Sequence, residues 1–256
     1  MTGTTKQLVI IPTYNEIENI RAIILAVLRQ PVHFDILVVD DNSPDGTAAE
    51  VKRMQSEEGV SGRLYLLERP GKQGLGTAYL EGFRWALKEG YHYIIEMDAD
   101  FSHNPDDLPA LWKACAEEGA DVSIGSRYIN GVNVVNWPLS RVLMSYFASV
   151  YVRTVTGMDV RDATAGFVCY RAEVLYTMNL DKIHFKGYAF QIEMKYTAKL
   201  CGFRLKEVPI VFVNRRLGTS KMNSSIFGEA FFGVLQLRWW GLTQKYPQKG
   251  SKRLEA

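Results

Sequence analysis

The chain has little of what would build a metal cage or a covalent framework. Of its 256 residues only three are cysteine (Cys115, Cys169 and Cys201) and four are histidine. The cysteines are odd in number, widely spaced and set in apolar sequence, which fits reduced buried thiols and argues against disulfides or a Cys/His zinc site. Charge of one sign is lacking too. Thirty basic against twenty-eight acidic residues leave a net +2, so no global field attracts nucleic acid and an anionic ligand must be met by local groups. Long hydrophobic runs are absent. The nearest candidate, residues 226–242, carries Glu229 and Arg238, which disfavours a spanning helix. The apolar run at residues 8–11, before Pro12, is too short for the core of a signal peptide. These absences place the chain, as an expectation, in the cytoplasm. No internal repeat is present, and "GKQGLGTA" at 71–78 matches neither the P-loop nor the G-x-G-x-x-G spacing.

What is present is material for a large core: 47% of residues are hydrophobic and 23% charged. Short β-rich runs ("LVII" at 8, "DILVVD" at 35, "RLYLL" at 63, "YHYIIEM" at 91, "DVSIG" at 121) alternate with stretches of 3.6-residue periodicity. Strands apolar on both faces, separated by helices, predict a mainly parallel sheet covered on both sides, an α/β fold. In the first helix Ile17, Ile20, Ile24 and Val27 are expected to face the core. The second is expected from Gly46 to about Glu57. Asn104 and Pro105 read as an N-cap and first helical residue, with Asp106 and Asp107 suited to the positive end of that helix.

In an open α/β sheet ligands bind beyond the carboxyl ends of the strands. Three of those ends are unusually polar: "PTYNE" after the first strand, "DDNSPDGT" after the second and "DADFSH" after the fourth. Each alone has an ordinary reading, since SPDG is a good turn and a lone D-x-D is common in solvated loops. If adjacent strands carry them they converge on one crevice, with Tyr14 to stack, Asp41 to accept hydrogen bonds, and Asp98 with Asp100 to bind a cation. His103, Phe101, Tyr128 and Tyr188 are expected to serve the loop and the packing.

The series "IPTYNE", "VVDDNSPDGT", "GLGTAYLEGF", "MDADFSHNP", "GSRY" and "RRLGTSK" resembles the motifs of family 2 glycosyltransferases of the GT-A fold, and among them the polyprenol phosphate mannose synthases. The resemblance covers residues 8 to about 222. It implies a GT-A domain over 1–222, followed by an amphipathic, basic helical tail over 223–256. It also implies metal-dependent, inverting transfer of mannose from GDP-mannose to a polyprenol phosphate, at the cytoplasmic face of a membrane. On this sequence Pro12, Tyr14, Glu16, Val39 and Asp41 would hold the nucleoside, and Asp98, Ala99 and Asp100 the diphosphate with Mg²⁺ or Mn²⁺. Arg127 and Arg141 would sit near the sugar and the acceptor phosphate, and Arg215 with Lys221 would close over the phosphates. Some archaeal relatives have glutamine where this chain has Ser102. The alternatives are a UDP-glucose-dependent polyprenol phosphate glucosyltransferase, or a catalytically silent nucleotide-binding membrane module.

The tail, "SSIFGEAFFGVLQLRWWGLTQKY" at 224–246, is rich in large apolar residues, and "PQKGSKR" after it adds Lys249, Lys252 and Arg253. That combination suits a helix lying on an anionic leaflet. The competing expectation is that it packs on the protein's own core or on a partner, either a second copy or a small membrane protein.

Overall fold

A computed structural model describes residues 5–214 and 226–250, without the side chains of Tyr188 and of residues 226–230. In chain order the elements are β1 (Gln7–Thr13), α1 (Ile17–Leu28), β2 (Asp35–Asp40), α2 (Thr47–Met54), β3 (Leu64–Glu68), α3 (Leu75–Lys88), β4 (Tyr93–Glu96), α4 (Leu108–Ala116) and β5 (Val122–Ser126). Then come β6 (Val134–Val135), α5 (Leu139–Thr156), β7 (Val168–Arg171), α6 (Ala172–Thr177), α7 (Tyr188–Leu200), β8 (Leu205–Pro209), β9 (Phe212–Val213) and α8 (Ile226–Thr243).

Seven of these strands form one sheet in the order β3-β2-β1-β4-β7-β5-β8. Its pairings are parallel except at β7, which runs antiparallel to both β4 and β5. The two-residue alternation of a strand explains how one sheet supports two cores. Leu8 and Ile10 point to one face and pack with Tyr79, Phe83, Tyr170 and Phe190 from α3, β7 and α7. Val9 and Ile11 point to the other and pack with Ile20, Ile24, Val51 and Leu111 from α1, α2 and α4. Because β1 lies between β2 and β4, the chain reverses its direction of travel across the sheet there, and the carboxyl ends of β1, β2 and β4 meet in one crevice. The α/β expectation is met.

Some local expectations are refined. The buried stripe of α1 is Ile20, Ile23, Ile24 and Val27, while Ile17, at the first helical position, is 40% exposed. α2 ends at Met54, before a turn over 55–63. The stretch at 71–78 owes a glycine to packing: a Cβ on Gly76 would stand 2.7 Å from the Phe190 ring, so only glycine lets α3 approach α7. The three cysteines are free and buried.

Asn104 caps as expected, its Oδ1 accepting from Asp106 N–H at 3.1 Å before a 3₁₀ turn over Pro105–Asp107. Burial, with Asp106 adding to it, raises the Asp107 carboxyl from 3.8 to about 6. A carboxyl with a raised folded pKa binds more protons folded than unfolded, so its penalty is absent below about pH 4 and complete above about pH 6. Asp107→Asn is therefore expected to stabilise the protein at pH 7.5, by an amount on the order of 1 kcal/mol once partial exposure is allowed for. Thermal melts of both proteins at pH 7.5 and pH 4 check this; an advantage that persists at pH 4 refutes the assignment.

The C-terminal helix joins the body. α8 packs against α7 and α5, burying Val234 and Leu237 beside Val152, Ile192 and Tyr196. Gly241 permits the approach, since a Cβ there would stand 2.9 Å from Tyr196 Cζ. The other side of α8 is apolar as well: Phe232, Trp239 and Leu242 are 71%, 62% and 67% exposed. α5 alongside exposes Leu139, Leu143 and Phe147, and Tyr151 stacks on Phe231 at 4.8 Å between the two helices. Lys249 departs from the expected basic flank. Its Nζ lies 2.8 Å from both carboxylate oxygens of buried Asp121, just before β5, at the end of the sheet away from the crevice. Pairing with Asp121 offsets the charge that Lys249 would bring to an anionic surface. Lys252 and Arg253 lie outside the described residues.

Candidate active site

The first two turns of the crevice are stitched to each other. Asp41 N–H donates to Thr13 O at 3.0 Å, and Thr13 Oγ1 donates to Asp40 Oδ1 at 2.8 Å. Asp45 spans both helix starts, accepting from Ile17 N–H and Thr47 N–H, each at 3.0 Å. Burial alone would raise its pKa, but these bonds and that from the Thr47 hydroxyl hold it below the usual value. The turn reading of SPDG is met: Asp45 ties the loop after β2 to the start of α1. Pro12 and Val39 face each other across β1 and β2. Glu16 accepts from Asn19 Nδ2 at 3.0 Å, at the start of α1. The ring of Tyr14 lies 5.2 Å beneath Lys72 Nζ. Asp41 is pinned by a residue that the sequence reading missed. Arg69, only 3% exposed, donates its Nε to Asp41 Oδ1 at 2.6 Å and reaches Thr77 and Glu81 on α3. An arginine just after a strand gives no sequence signal; contact with Asp41 needs β2 beside β3.

The acidic loop leaves β4 directly. Asp98 has a 40% exposed side chain, whereas Asp100 is 6% exposed and accepts from Ser102 N–H at 3.0 Å. Ala99 is buried, and Phe101 between Asp100 and Ser102 takes φ +60°, an unusual conformation for a non-glycine residue. His103 anchors the loop rather than a metal: its Nδ1 accepts from Asp98 N–H at 3.1 Å and its ring stacks on Phe167 at 4.8 Å. Burial lowers its pKa, which keeps the ring neutral with its proton on Nε2. Both carboxylates offer hard oxygen donors that suit Mg²⁺ or Mn²⁺. Among the described residues no group of three or more His, Cys, Asp or Glu side chains is placed to cage a metal. Two carboxylates alone supply too few ligands for such an ion, so this donor set fits an ion shared with a phosphate ligand.

A series of rings joins the acidic loop to the two arginines. His103, Phe212 and Trp137 form an edge-to-face series, at 5.6 Å and then 5.3 Å, leading from the acidic loop to Arg127 and Arg141. Both guanidinium groups lie over Trp137, Arg127 at 5.5 Å and Arg141 at 4.0 Å, and Arg141 donates to Asn214 Oδ1 at 3.1 Å. Arg127, expected near the sugar and phosphate, is largely engaged by buried Asp162. Its Nε and Nη2 bond the two carboxylate oxygens at 2.7 and 2.6 Å, its backbone N–H bonds Oδ2 at 2.9 Å, and Thr164 takes a further bond. Burial would raise the Asp162 pKa, but Arg127 wins and the carboxyl stays below its usual range. Asp162 and Trp137 were not legible in the sequence because their contacts lie 35 and 10 residues from Arg127 along the chain. Arg215 and Lys221 lie outside the described residues.

Arg127→Lys is expected to be non-conservative. A point-like ammonium cannot reproduce the paired bonds to Asp162, each worth about 1.5–3 kcal/mol. Melting should fall by roughly 4–8 °C for a loss of about 2 kcal/mol, and turnover by about tenfold. Calorimetry with initial rates checks this, and wild-type values for both would mean that Arg127 merely fills space.

The comparisons with known proteins agree with this architecture. The family model "Glycosyl transferase family 2" matches residues 8–178. An undecaprenyl-phosphate mannosyltransferase of Micrococcus luteus is 46% identical over 240 residues, covering 93% of this chain and 95% of that one. A polyprenol monophosphomannose synthase of Mycolicibacterium smegmatis is 45% identical over 239 residues, covering 93% and 88%. Among solved structures, glucosyl-3-phosphoglycerate synthase from Mycobacterium tuberculosis, in complex with Mn²⁺, UDP and glucosyl-3-phosphoglycerate, superposes with a TM-score of 0.65 at 16% identity over 92% of this chain and 80% of its own. A mannosyltransferase from Pyrobaculum calidifontis in complex with GDP-Man and Mn²⁺ gives 0.57 at 18% identity over 94% and 73%. At those identities the likeness establishes the GT-A fold alone. With the family model covering the sheet from β1 to α6 and two relatives matching nearly end to end, the chain belongs to glycosyl transferase family 2.

Proposed function

We propose that this enzyme transfers mannose from GDP-mannose to the phosphate of a polyprenol, with inversion at the anomeric carbon. The observation that carries the reading is an acidic loop joined through a series of ring contacts to a pair of arginines. Asp98 and Asp100 lie in the loop that follows β4, and Arg127 and Arg141 both lie over Trp137. The names of the relatives supply the sugar and the acceptor class.

Each part has a physical task. The nucleoside lies against Tyr14 and Asp41, the latter held by Arg69, with Pro12, Glu16 and Val39 shaping the walls. Asp98 and Asp100, beside Ala99, would hold Mg²⁺ or Mn²⁺ against the diphosphate, and the bound ion supplies neutralisation of the departing GDP. Arg141 and Arg127 would orient the acceptor phosphate for in-line attack, and Arg215 and Lys221, outside the described residues, would close over the phosphates. A phosphate monoester with a second pKa of about 6 is already ionised near neutral pH. The acceptor therefore needs positioning, not deprotonation. Asp162 supports a phosphate acceptor over a sugar hydroxyl, because three bonds from Arg127 and a lowered pKa make it a poor proton acceptor. Among the described residues no helix is long and apolar enough to cross a membrane. The exposed apolar sides of α5 and α8 would bring the protein to the cytoplasmic face of a membrane, where the lipid is.

The test is transfer of radiolabelled sugar from GDP-mannose or UDP-glucose to a polyprenol phosphate, with Mn²⁺ or Mg²⁺ and with EDTA. Lipid-soluble label from GDP-mannose alone, abolished by EDTA, is expected. Label from UDP-glucose instead would move the donor assignment, and tight GDP binding without turnover would mark a silent module.

A further inference from the structure

A buried lysine beneath the crevice takes no part in the chemistry above. Lys195, on α7, is fully buried, and its Nζ donates to Ala165 O at 2.6 Å, Gln191 O at 3.0 Å and Gln191 Oε1 at 3.4 Å. Gln191 turns its Nε2 to Glu96 Oε2 at 2.8 Å. Glu96 is itself fully buried as the last residue of β4, two residues before Asp98. A buried cation bonded in this way is expensive to keep, and an apolar residue of similar volume would often serve stability as well.

Its two ends reach toward the acidic loop and toward Arg127. On one side the contact passes through Gln191 to Glu96, and so to the root of the acidic loop. On the other, Ala165 lies in the segment between Asp162 and β7, its own N–H donates to Asp162 O at 3.3 Å, and Asp162 holds Arg127. Glu96 pairs with Val168, so β7 and its lead-in lie directly beside β4. Lys195 with Gln191 is thus a buried clamp between the strand that leads into the acidic loop and the segment that orients the arginine.

We propose that Lys195 is a positioning residue for glycosyl transfer, fixing the separation of the acidic loop from Arg127. The inference rests on the reading of the crevice as the transfer site. In that reading the acidic loop holds the metal and diphosphate while Arg127 orients the acceptor phosphate, so attack requires the two in register, and misplacement by about 1 Å can cost about a hundredfold in rate.

The experiment uses the full chain with GDP-mannose, a polyprenol phosphate and Mn²⁺. If the wild-type protein shows no transfer, the functional reading fails and Lys195 is not at issue. Given wild-type transfer, Lys195→Met, which matches the stem and removes the charge, is expected to lower kcat at least tenfold. The KM for donor and the Kd for GDP with Mn²⁺ should stay within about twofold. Gln191→Met cuts the clamp at the Glu96 end and should give the same split. Unchanged kcat in either folded variant overturns the proposal, as does a fall in GDP affinity that accounts for the whole loss. Failure of both to fold would assign the clamp to stability and overturn it as well.

Discussion

Asp100→Ala is expected to lose metal-dependent turnover by roughly three orders of magnitude, because neutralising the departing diphosphate contributes several kcal/mol to the transition state. The buried setting of Asp100 makes alanine an imperfect probe. Its Oδ1 accepts from Ser102 N–H, and Phe101 beside it holds φ +60°. Losing that acceptor should itself cost about 1 kcal/mol of stability and loosen the loop. Asp100→Asn keeps an oxygen for Ser102 and removes the charge. It is expected to melt within a few degrees of wild type and still fall by orders of magnitude in rate. Initial rates across a Mn²⁺ titration, with thermal melts, separate the two effects. Full activity in Asp100→Asn would remove the acidic loop from the mechanism.

Replacing Phe232, Trp239 and Leu242 together by serine is expected to abolish sedimentation with anionic liposomes and transfer to long polyprenol phosphate, while GDP binding survives. Among the described side chains of α8 these are the most exposed apolar groups. At about 1.5 kcal/mol each for partial burial in a bilayer, their loss amounts to about 4–5 kcal/mol, roughly a thousandfold in partitioning. Deleting residues 224–256 would be a poorer test. It would strip Val234 and Leu237 from Tyr196 and Ile192 and break the bond of Lys249 to Asp121. Unchanged liposome binding by the triple variant sinks the membrane assignment for this face. A shift from a larger species to a monomer in sedimentation velocity would identify the face as a seat for a second copy.

The sequence by itself determined the α/β class, the order of the elements and the three polar strand ends, because these depend on local periodicity and on which residues tolerate a turn. It also placed Asp98 and Asp100 just beyond a strand end and Asn104 as a cap, because these positions are set by near neighbours on the chain. What only the tertiary structure decided was partnership. Arg69 meets Asp41 because β3 lies beside β2, Asp162 takes Arg127 across 35 residues, and Lys195 reaches Ala165 across 30. α8 shows the same division: its composition announced an apolar helix, but which side is buried was set by the packing of α5 and α7. A hydrogen bond or a buried contact depends on spacing and orientation to within an ångström or so, and for residues far apart in sequence those are fixed only when the sheet brings its strands together.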